Sequence, residues 1–398
     1  MTAITRPPTR TDLRWVRALY VLYIGGMGFL LPFWGLFLRR QGLTGTQIGW
    51  INTVVSGTTL LAAAGWGQLS DRYGSRRLIP LTLVLAAAAT LLLRFQEGFW
   101  PLLLVTGAYG AMYAGIMPLI YARAYDLTEQ MEGIGFGSIR VWGSIGWIVI
   151  VLTGGWLIEQ QGLGVSFYGQ AGAYLLAAAV ACFIRFTPRP AAEQGEAEDA
   201  SLTSWKNPRL LLLAAAVAVA WLARVGPLRF EGIYLDELGA GEWLIGVVSM
   251  SGAVVEIPAM FWADHLLKRQ RGLTILRIAW IIEIVLLALI LVRPAVPTFI
   301  AARAVGGIAF SFYSVALVRV VGRMVPNNAT ARWMAIFTVT LPSLMEIVGS
   351  VTSGAAYDAF GAYWLYAIGL SCNVVAVLLL LALGRLPAKV SPASSPME

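Results

Sequence analysis

Residues 67–77 read Gly-Gln-Leu-Ser-Asp-Arg-Tyr-Gly-Ser-Arg-Arg. One carboxylate, Asp71, is followed by Arg72, then by Arg76 and Arg77, with Gly67 ahead of it and Gly74 inside the run. The flanks carry no charge over 46–66 or over 78–93, and each is close to the roughly 20 residues a helix needs to cross a bilayer. The segment therefore reads as a charged turn between two membrane spans. Residues 262–272, Trp-Ala-Asp-His-Leu-Leu-Lys-Arg-Gln-Arg-Gly, repeat the plan at the end of another apolar run, and Asp264 matches Asp71. A charged turn that occurs twice points to a duplicated unit.

The whole composition agrees. Of 398 residues 58% are apolar and 13% charged, about half the usual charged share of roughly 25%, and the mean hydropathy is +0.72. Apolar runs predict spans at 15–38, 46–69, 77–94, 99–122, 137–159, 165–186, 208–236, 242–264, 273–292, 297–320, 333–355 and 361–384. The expected class is an all-α membrane protein with twelve transmembrane helices in two pseudo-symmetric six-helix bundles. The halves are 1–186 and 208–398, joined by a polar linker, 187–207, with Glu193, Glu196, Glu198 and Asp199. The two halves match at a second place: Thr153, Gly155, Glu159 and Gly162 have the spacing of Thr352, Gly354, Asp358 and Gly361.

The net charge is +8, but the basic residues stand at helix ends and form no patch for nucleic acid. Arg6, Arg10, Arg14, Arg17, Arg72, Arg76, Arg77, Arg185, Arg189, Lys206, Arg209, Lys268, Arg269, Arg271, Arg277, Arg323, Arg332, Arg385 and Lys389 fall on one side. That side also holds both termini, and the positive-inside rule makes it cytoplasmic. The first apolar run is longer than a signal-peptide core and is expected to be retained. Cys182 and Cys372 lie in apolar segments and give neither a disulfide framework nor a metal site.

The segment from Gly67 to Arg77 closely resembles the signature loop of the major facilitator superfamily, through Gly67, Asp71, Arg72, Gly74, Arg76 and Arg77. In that superfamily the Asp caps or pairs across a helix end. Residues 30–51 resemble the first hairpin of the branch that holds lactose permease, phenylpropionate permease and nucleoside–proton symporters. Residues 140–147, Arg-Val-Trp-Gly-Ser-Ile-Gly-Trp, resemble that branch's fifth span, and residues 255–261, Val-Glu-Ile-Pro-Ala-Met-Phe, the eighth span of its phenylpropionate group. The resemblance implies a sugar-binding Arg at Arg140 and a stacking Trp at Trp147. It also implies a cavity lined by the first, fourth, seventh and tenth spans, which raises Tyr23, Tyr113 and Tyr313. The pattern is broken where lactose permease has a Glu late in the fourth span and a His and a Glu in the tenth, because Ala122, Gly306 and Ala309 stand there. Galactoside specificity and that proton relay do not carry over.

Ionisable groups at membrane depth are costly unless paired or hydrated, so each is a candidate site. Glu256, Glu346 and Glu283 are candidates for proton coupling, or for helix–helix pairs. Arg140 offers a planar donor fork for hydroxyl or carboxylate groups, or else pairs with Asp126. Arg224, Arg229 and Glu231 flank Gly226–Pro227, where an unwound or kinked stretch is expected as a gate or an internal pair. Arg303 and Arg319 are read as anchors at opposite ends of the tenth span. Asn52 is a polar candidate on the second span, and His265 is read as a surface residue. Gly25, Gly26 and Gly28, the 61–65 run and Gly306–Gly307 are read as close helix contacts.

No Gly-rich phosphate loop ends in Lys-Ser/Thr, and the single histidine rules out a Ser-His-Asp set. The expectation is a non-enzymatic, monomeric secondary transporter of the bacterial inner membrane, without metal or cofactor. Its partners are a small organic solute (sugar, nucleoside or aromatic carboxylate), a proton and membrane lipid. The alternative is proton-driven efflux of drugs or metabolites.

Overall fold

The computed structural model describes residues 7–186, 207–270, 272–325 and 330–386. Residues 187–206 of the linker, the Pro326–Asn328 breaker, Arg6, Arg271 and Lys389 lie outside the described residues, as do the side chains of Asp264, His265, Lys268 and Arg269.

Twelve helices among the described residues are long and apolar enough to cross a membrane. They are α1 (Arg10–Arg40), α2 (Gly45–Tyr73), α3 (Ser75–Arg94), α4 (Phe99–Gln130), α5 (Gly137–Gln161) and α6 (Gly164–Phe183), then α7 (Pro208–Glu237), α8 (Glu242–Arg269), α9 (Gly272–Val292), α10 (Val296–Gly322), α11 (Arg332–Phe360) and α12 (Ala362–Arg385). Each matches an expected span to within a few residues. The exceptions are the longer α1 and α4, which keep charged ends beyond the apolar core. The protein is an all-helical, multi-pass membrane protein, and Arg10 and Arg385 bring both ends of the chain to one face, called here the terminal face.

Local chemistry sets the helix limits. Thr44 starts α2 with a capping box: its hydroxyl accepts from the Gln47 N–H (3.2 Å), and the Gln47 side chain accepts from the Thr44 N–H (3.0 Å). Asn207 caps α7 by accepting from the Arg209 N–H at 3.0 Å. Three spans are interrupted. A short 3-10 turn at Leu31–Phe33, with Pro32 inside, divides α1. A π turn at Ile336–Thr340 precedes Pro342 in α11. In α4 the break falls at Ala114–Gly115, where the Trp66 ring fills the space a side chain at Gly115 would need. The indole N–H of Trp66 donates to the Ala111 carbonyl at 2.7 Å, so the interrupted helix keeps a partner for that oxygen.

Small residues let helices meet closely. A methyl on Gly25 would stand 2.8 Å from the Gly146 carbonyl of α5, and one on Gly26 2.8 Å from Ala173 of α6. Gly307 abuts the Gly252 carbonyl of α8. The 61–65 run behaves differently from expectation: nothing lies within 4 Å of where a side chain on Gly65 would point. The Gly226–Pro227 stretch is not unwound, because α7 runs as one helix from Pro208 to Glu237 with Pro227 inside it. Its packing against α12 accounts for this: the Tyr366 hydroxyl donates to the Pro227 carbonyl at 3.5 Å, and Gly369 lies against Ala223.

Candidate functional site

The two halves meet tightly at the face opposite the termini. Asp358, at the end of α11, accepts from the N–H of Gly45 (2.6 Å), the N–H of Thr46 (2.7 Å) and the Thr46 hydroxyl (2.7 Å), all in the first turn of α2. Glu159, at the end of α5, accepts from the N–H of Trp243 (3.0 Å) in the first turn of α8. Each carboxylate thus caps the positive N-terminus of the second helix in the other half. The sequence repeat becomes intelligible here. Gly155 and Gly354 are the close-approach points: methyls there would stand 3.0 Å from the Glu242 carbonyl and 3.1 Å from Thr46 Cα. Thr153 and Thr352 return their hydroxyls to Val149 and Val348, four residues back. Gly162 and Gly361 end the helices with φ of +87° and +82°, which glycine adopts without steric cost.

Arg40 adds a clamp across the same face, reaching Asp236 at 2.8 Å and Glu242 at 2.6 Å. Tyr357 donates to Glu237 at 2.7 Å. From this face the α2–α11 contact continues through Thr53, which donates to the Ile347 carbonyl (2.7 Å), to Ser56, which donates to Glu346 (3.1 Å). Beyond it a methyl on Gly57, Gly65 or Gly67 would meet nothing within 4 Å. The halves are pressed together at one face and separate towards the other.

Between them lies a cavity of about 410 Å³. Arg140, Ser144 and Trp147 of α5 and Tyr121 of α4 line one wall. The facing wall carries Glu256 of α8, Arg224 and Glu231 of α7, Glu283 of α9 and Arg303 of α10. Every one of these charges has a partner. Arg140 faces Glu256 across the two halves at 3.9 Å, Arg224 faces Glu283 at 3.7 Å, and Arg303 grips Glu231 at 2.7 Å through both Nε and Nη2. Arg229 holds Glu346 at 2.9 Å outside the cavity wall.

The expected cluster of Arg224, Arg229 and Glu231 is therefore dispersed, with each member paired to a different helix. Arg140 pairs with Glu256, not Asp126, so two separately chosen candidates form one contact. Arg303 is no anchor, since it lines the cavity in an ion pair. Trp147 lines the cavity too. Tyr23 and Tyr113 do not: the Tyr23 hydroxyl donates to Tyr113 (3.1 Å), which donates to the Met27 sulfur (3.5 Å), beneath the wall. Asn52 is buried and donates to its own helix at Ile48 (3.0 Å). Tyr313 accepts from the Trp221 indole at 3.0 Å in a small recess behind Arg224. Asp71, Arg72, Gly74, Arg76 and Arg77 are exposed at the terminal face with Gly67. Arg40, Glu159 and Asp358 do not stand out as site residues in the sequence, because a charge at a helix end reads as solvated. The paired register of Glu159 and Asp358 was the signal.

The sequence matches the MFS_1 like family over residues 13–368. It is 26% identical over 374 residues to the maltose permease of Geobacillus stearothermophilus, covering 92% of this chain and 93% of that one. It is 23% identical over 379 residues to the probable 3-phenylpropionic acid transporter of Escherichia coli (strain K12), covering 89% and 94%. The fold matches the crystal structure of the nucleoside transporter NupG with a TM-score of 0.81 at 15% identity, covering 94% of this chain and 100% of that one.

Proposed function

The chain belongs to the MFS_1 like family of transporters, and from that premise we propose that it is a secondary carrier moving one small organic solute together with a proton by alternating access. The observation that carries this is the cavity of about 410 Å³ between two halves that are sealed at one face only. A carrier must expose one central site to each side in turn, and a seal made of exchanged helix caps can part without unfolding a helix. Similarity to a maltose permease and to a phenylpropionic acid transporter supports sugars and aromatic carboxylates as solute classes.

Glu256 is the proposed proton carrier. It faces the cavity and shares the Arg140 contact that crosses between the halves, so a change in its charge acts directly on that contact. The basic bias at the terminal face supports placing both termini in the cytoplasm of a bacterial cell, with the seal on the outer side. Uptake is favoured over efflux of drugs, because six ionisable side chains line the cavity where a multidrug pump would present a broad apolar one.

The test is transport in liposomes under an imposed proton gradient. Glu256→Gln is expected to abolish gradient-driven accumulation and to keep solute exchange once the solute is raised to a saturating concentration. Undiminished accumulation in that variant would overturn the coupling role.

A further inference from the structure

We infer that the terminal-face end of α1 holds one anionic phospholipid, with its phosphate between Arg14 and Arg17 and an acyl chain in the groove between α5 and α6. The inference needs only that the chain spans a membrane, and it stands whichever solute is carried. Charge comes first. At about 100° per residue, Arg10, Arg14 and Arg17 share one side of α1 within about 60°. Arg14 and Arg17, three positions apart, are surface neighbours whose guanidinium groups can reach one phosphate. Neither has an ion-pair partner among the described residues, and the Arg17 Nε is buried without an acceptor. Asp12, the carboxylate of this helix end, lies on the opposite side of α1. It accepts there from the Thr9 hydroxyl at 2.6 Å and from the Arg185 N–H at 3.1 Å.

The surface beside these arginines belongs to the bilayer. On α5 the cavity takes Arg140, Ser144 and Trp147, while Trp142, Ile145 and Val149 are exposed on the opposite side of the helix. Such a stripe on a spanning helix meets acyl chains. The Arg17 guanidinium lies 5.8 Å from the centre of the Trp142 ring, at the lipid edge of the α1–α5 contact. On the other flank of α1, Trp15 stacks at 5.0 Å on exposed Phe183 of α6. Aromatic rings at span ends mark headgroup level. Between the two aromatic pairs runs a groove. Gly25 of α1 abuts α5 and Gly26 abuts α6, and Ala18 and Leu22, both half-buried, point between those two directions and form its floor. Phe29 closes the far end, because methyls on Gly154 of α5 and Gly169 of α6 would both meet its ring, at 2.9 and 2.5 Å. Arg14 and Phe29 are 15 residues apart, about 22 Å of helix, which exceeds the roughly 15 Å of hydrocarbon in one leaflet. A free phosphate would use the arginines alone, whereas a phospholipid uses the arginines, the rings and the groove. A zwitterionic lipid would bring its own cation to a patch of three arginines, so the anionic class fits.

The experiment is native mass spectrometry of the purified full chain in a neutral detergent, titrated with dioleoyl phosphatidylglycerol or with dioleoyl phosphatidylcholine. The first phosphatidylglycerol adduct should form about tenfold more tightly than the first phosphatidylcholine adduct. An arginine beside an anionic lipid contributes about 1 kcal/mol, or about fivefold, so Arg14→Gln with Arg17→Gln should weaken that adduct about twenty-five-fold. Ala18→Phe fills the groove floor and keeps every charge, and it should also weaken the adduct. Arg323→Gln with Arg385→Gln removes two exposed arginines from the same face of the other half and should leave it unchanged. The comparison of lipids is made on the unaltered chain, so a variant that fails to fold leaves it intact. Equal binding of the two lipids, an undiminished adduct in the Arg14/Arg17 variant or in Ala18→Phe, or an equal loss in the Arg323/Arg385 variant would each overturn the inference. So would displacement of the lipid by excess inorganic phosphate, which would reassign the site to a free anion.

Discussion

Replacing Asp358 by Asn keeps the side chain's shape and removes its charge, so it tests whether the exchanged caps hold the halves together. Asp358 takes three hydrogen bonds, at 2.6, 2.7 and 2.7 Å, from the first turn of α2. A hydrogen bond to a charged acceptor contributes about 1.5–3 kcal/mol and a neutral one about 0.5–1.5, and a carboxylate at a helix N-terminus adds about 0.3–1. The amide keeps one acceptor oxygen and turns the other into an NH2 donor, so at least one of the three bonds is lost outright and the rest are weakened, which reaches about 3 kcal/mol. Asp358 is exposed, however, and water competes for the same donors, so about 1.5 kcal/mol is the working figure. The ratio of sealed to open carrier should then fall about tenfold. Glu159→Gln weakens the pseudo-symmetric cap on α8, which takes one hydrogen bond, so on the same scale it costs about 0.5 kcal/mol; the two sites share no partner, and the double variant should fall about twentyfold. The readout is the spin-label distance between Gln160→Cys and Ala359→Cys at the ends of α5 and α11, after Cys182 and Cys372 are replaced. A second, longer component should grow in the order parent, single, double variant. A double variant with the parent's distance distribution would refute the cap argument.

Other substitutions probe the packing and the pairs. Gly246→Leu places carbon against the Val151 carbonyl, which a methyl would already meet at 2.8 Å. It should cost the seal about 1–3 kcal/mol and lengthen the same spin-label distance. Glu231→Gln leaves Arg303 without its counter-charge. The pair is partly open, at 30% and 14% exposure, so a loss of about 2–3 kcal/mol is expected, seen as a lower Tm. Tyr23→Phe removes only the bond to Tyr113, about 1 kcal/mol of stability, and should leave solute affinity unchanged because Tyr23 does not line the cavity.

Apolar period and charged turns made the twelve helices legible, since length and hydropathy are local properties of the chain. Partnership was not legible in the same way. Glu256 and Arg140 stood out singly as charges in apolar runs, yet they lie 116 positions apart on α8 and α5, and only the crossing of those helices brings them together. The inward turn of Arg303 is hidden from the sequence for a related reason. A guanidinium near a span end can snorkel to the surface or turn inward, and the deciding neighbour, Glu231, sits on another helix. The Tyr23, Tyr113 and Tyr313 choices came from a family's cavity-lining helices. The helix assignment does not say which side of the helix a residue takes, and here all three turn to neighbouring aromatic or thioether groups.

The same two helices, α5 and α8, carry the Glu159–Trp243 cap at one end and the Arg140–Glu256 contact towards the other. Along α5 the two points are 19 residues apart, about 28 Å of helix, and along α8 they are 13 residues apart, about 20 Å. Between them Gly246 rests on Val151, a close contact about which stiff helices can tilt. A solute group that bridges Arg140 and Glu256 across the existing gap ties those ends together on the open side and so loads the cap in the opposite sense. A saturating solute should then increase the long-distance component of the Gln160–Ala359 spin pair, most visibly in the Asp358→Asn background, where the seal is already weakened. The binding energy available is bounded by the two new hydrogen bonds at Arg140 and Glu256, about 3–6 kcal/mol in all, which exceeds the tenfold shift required. Full binding with an unmoved distance distribution in that background would separate the solute site from the seal and refute the lever.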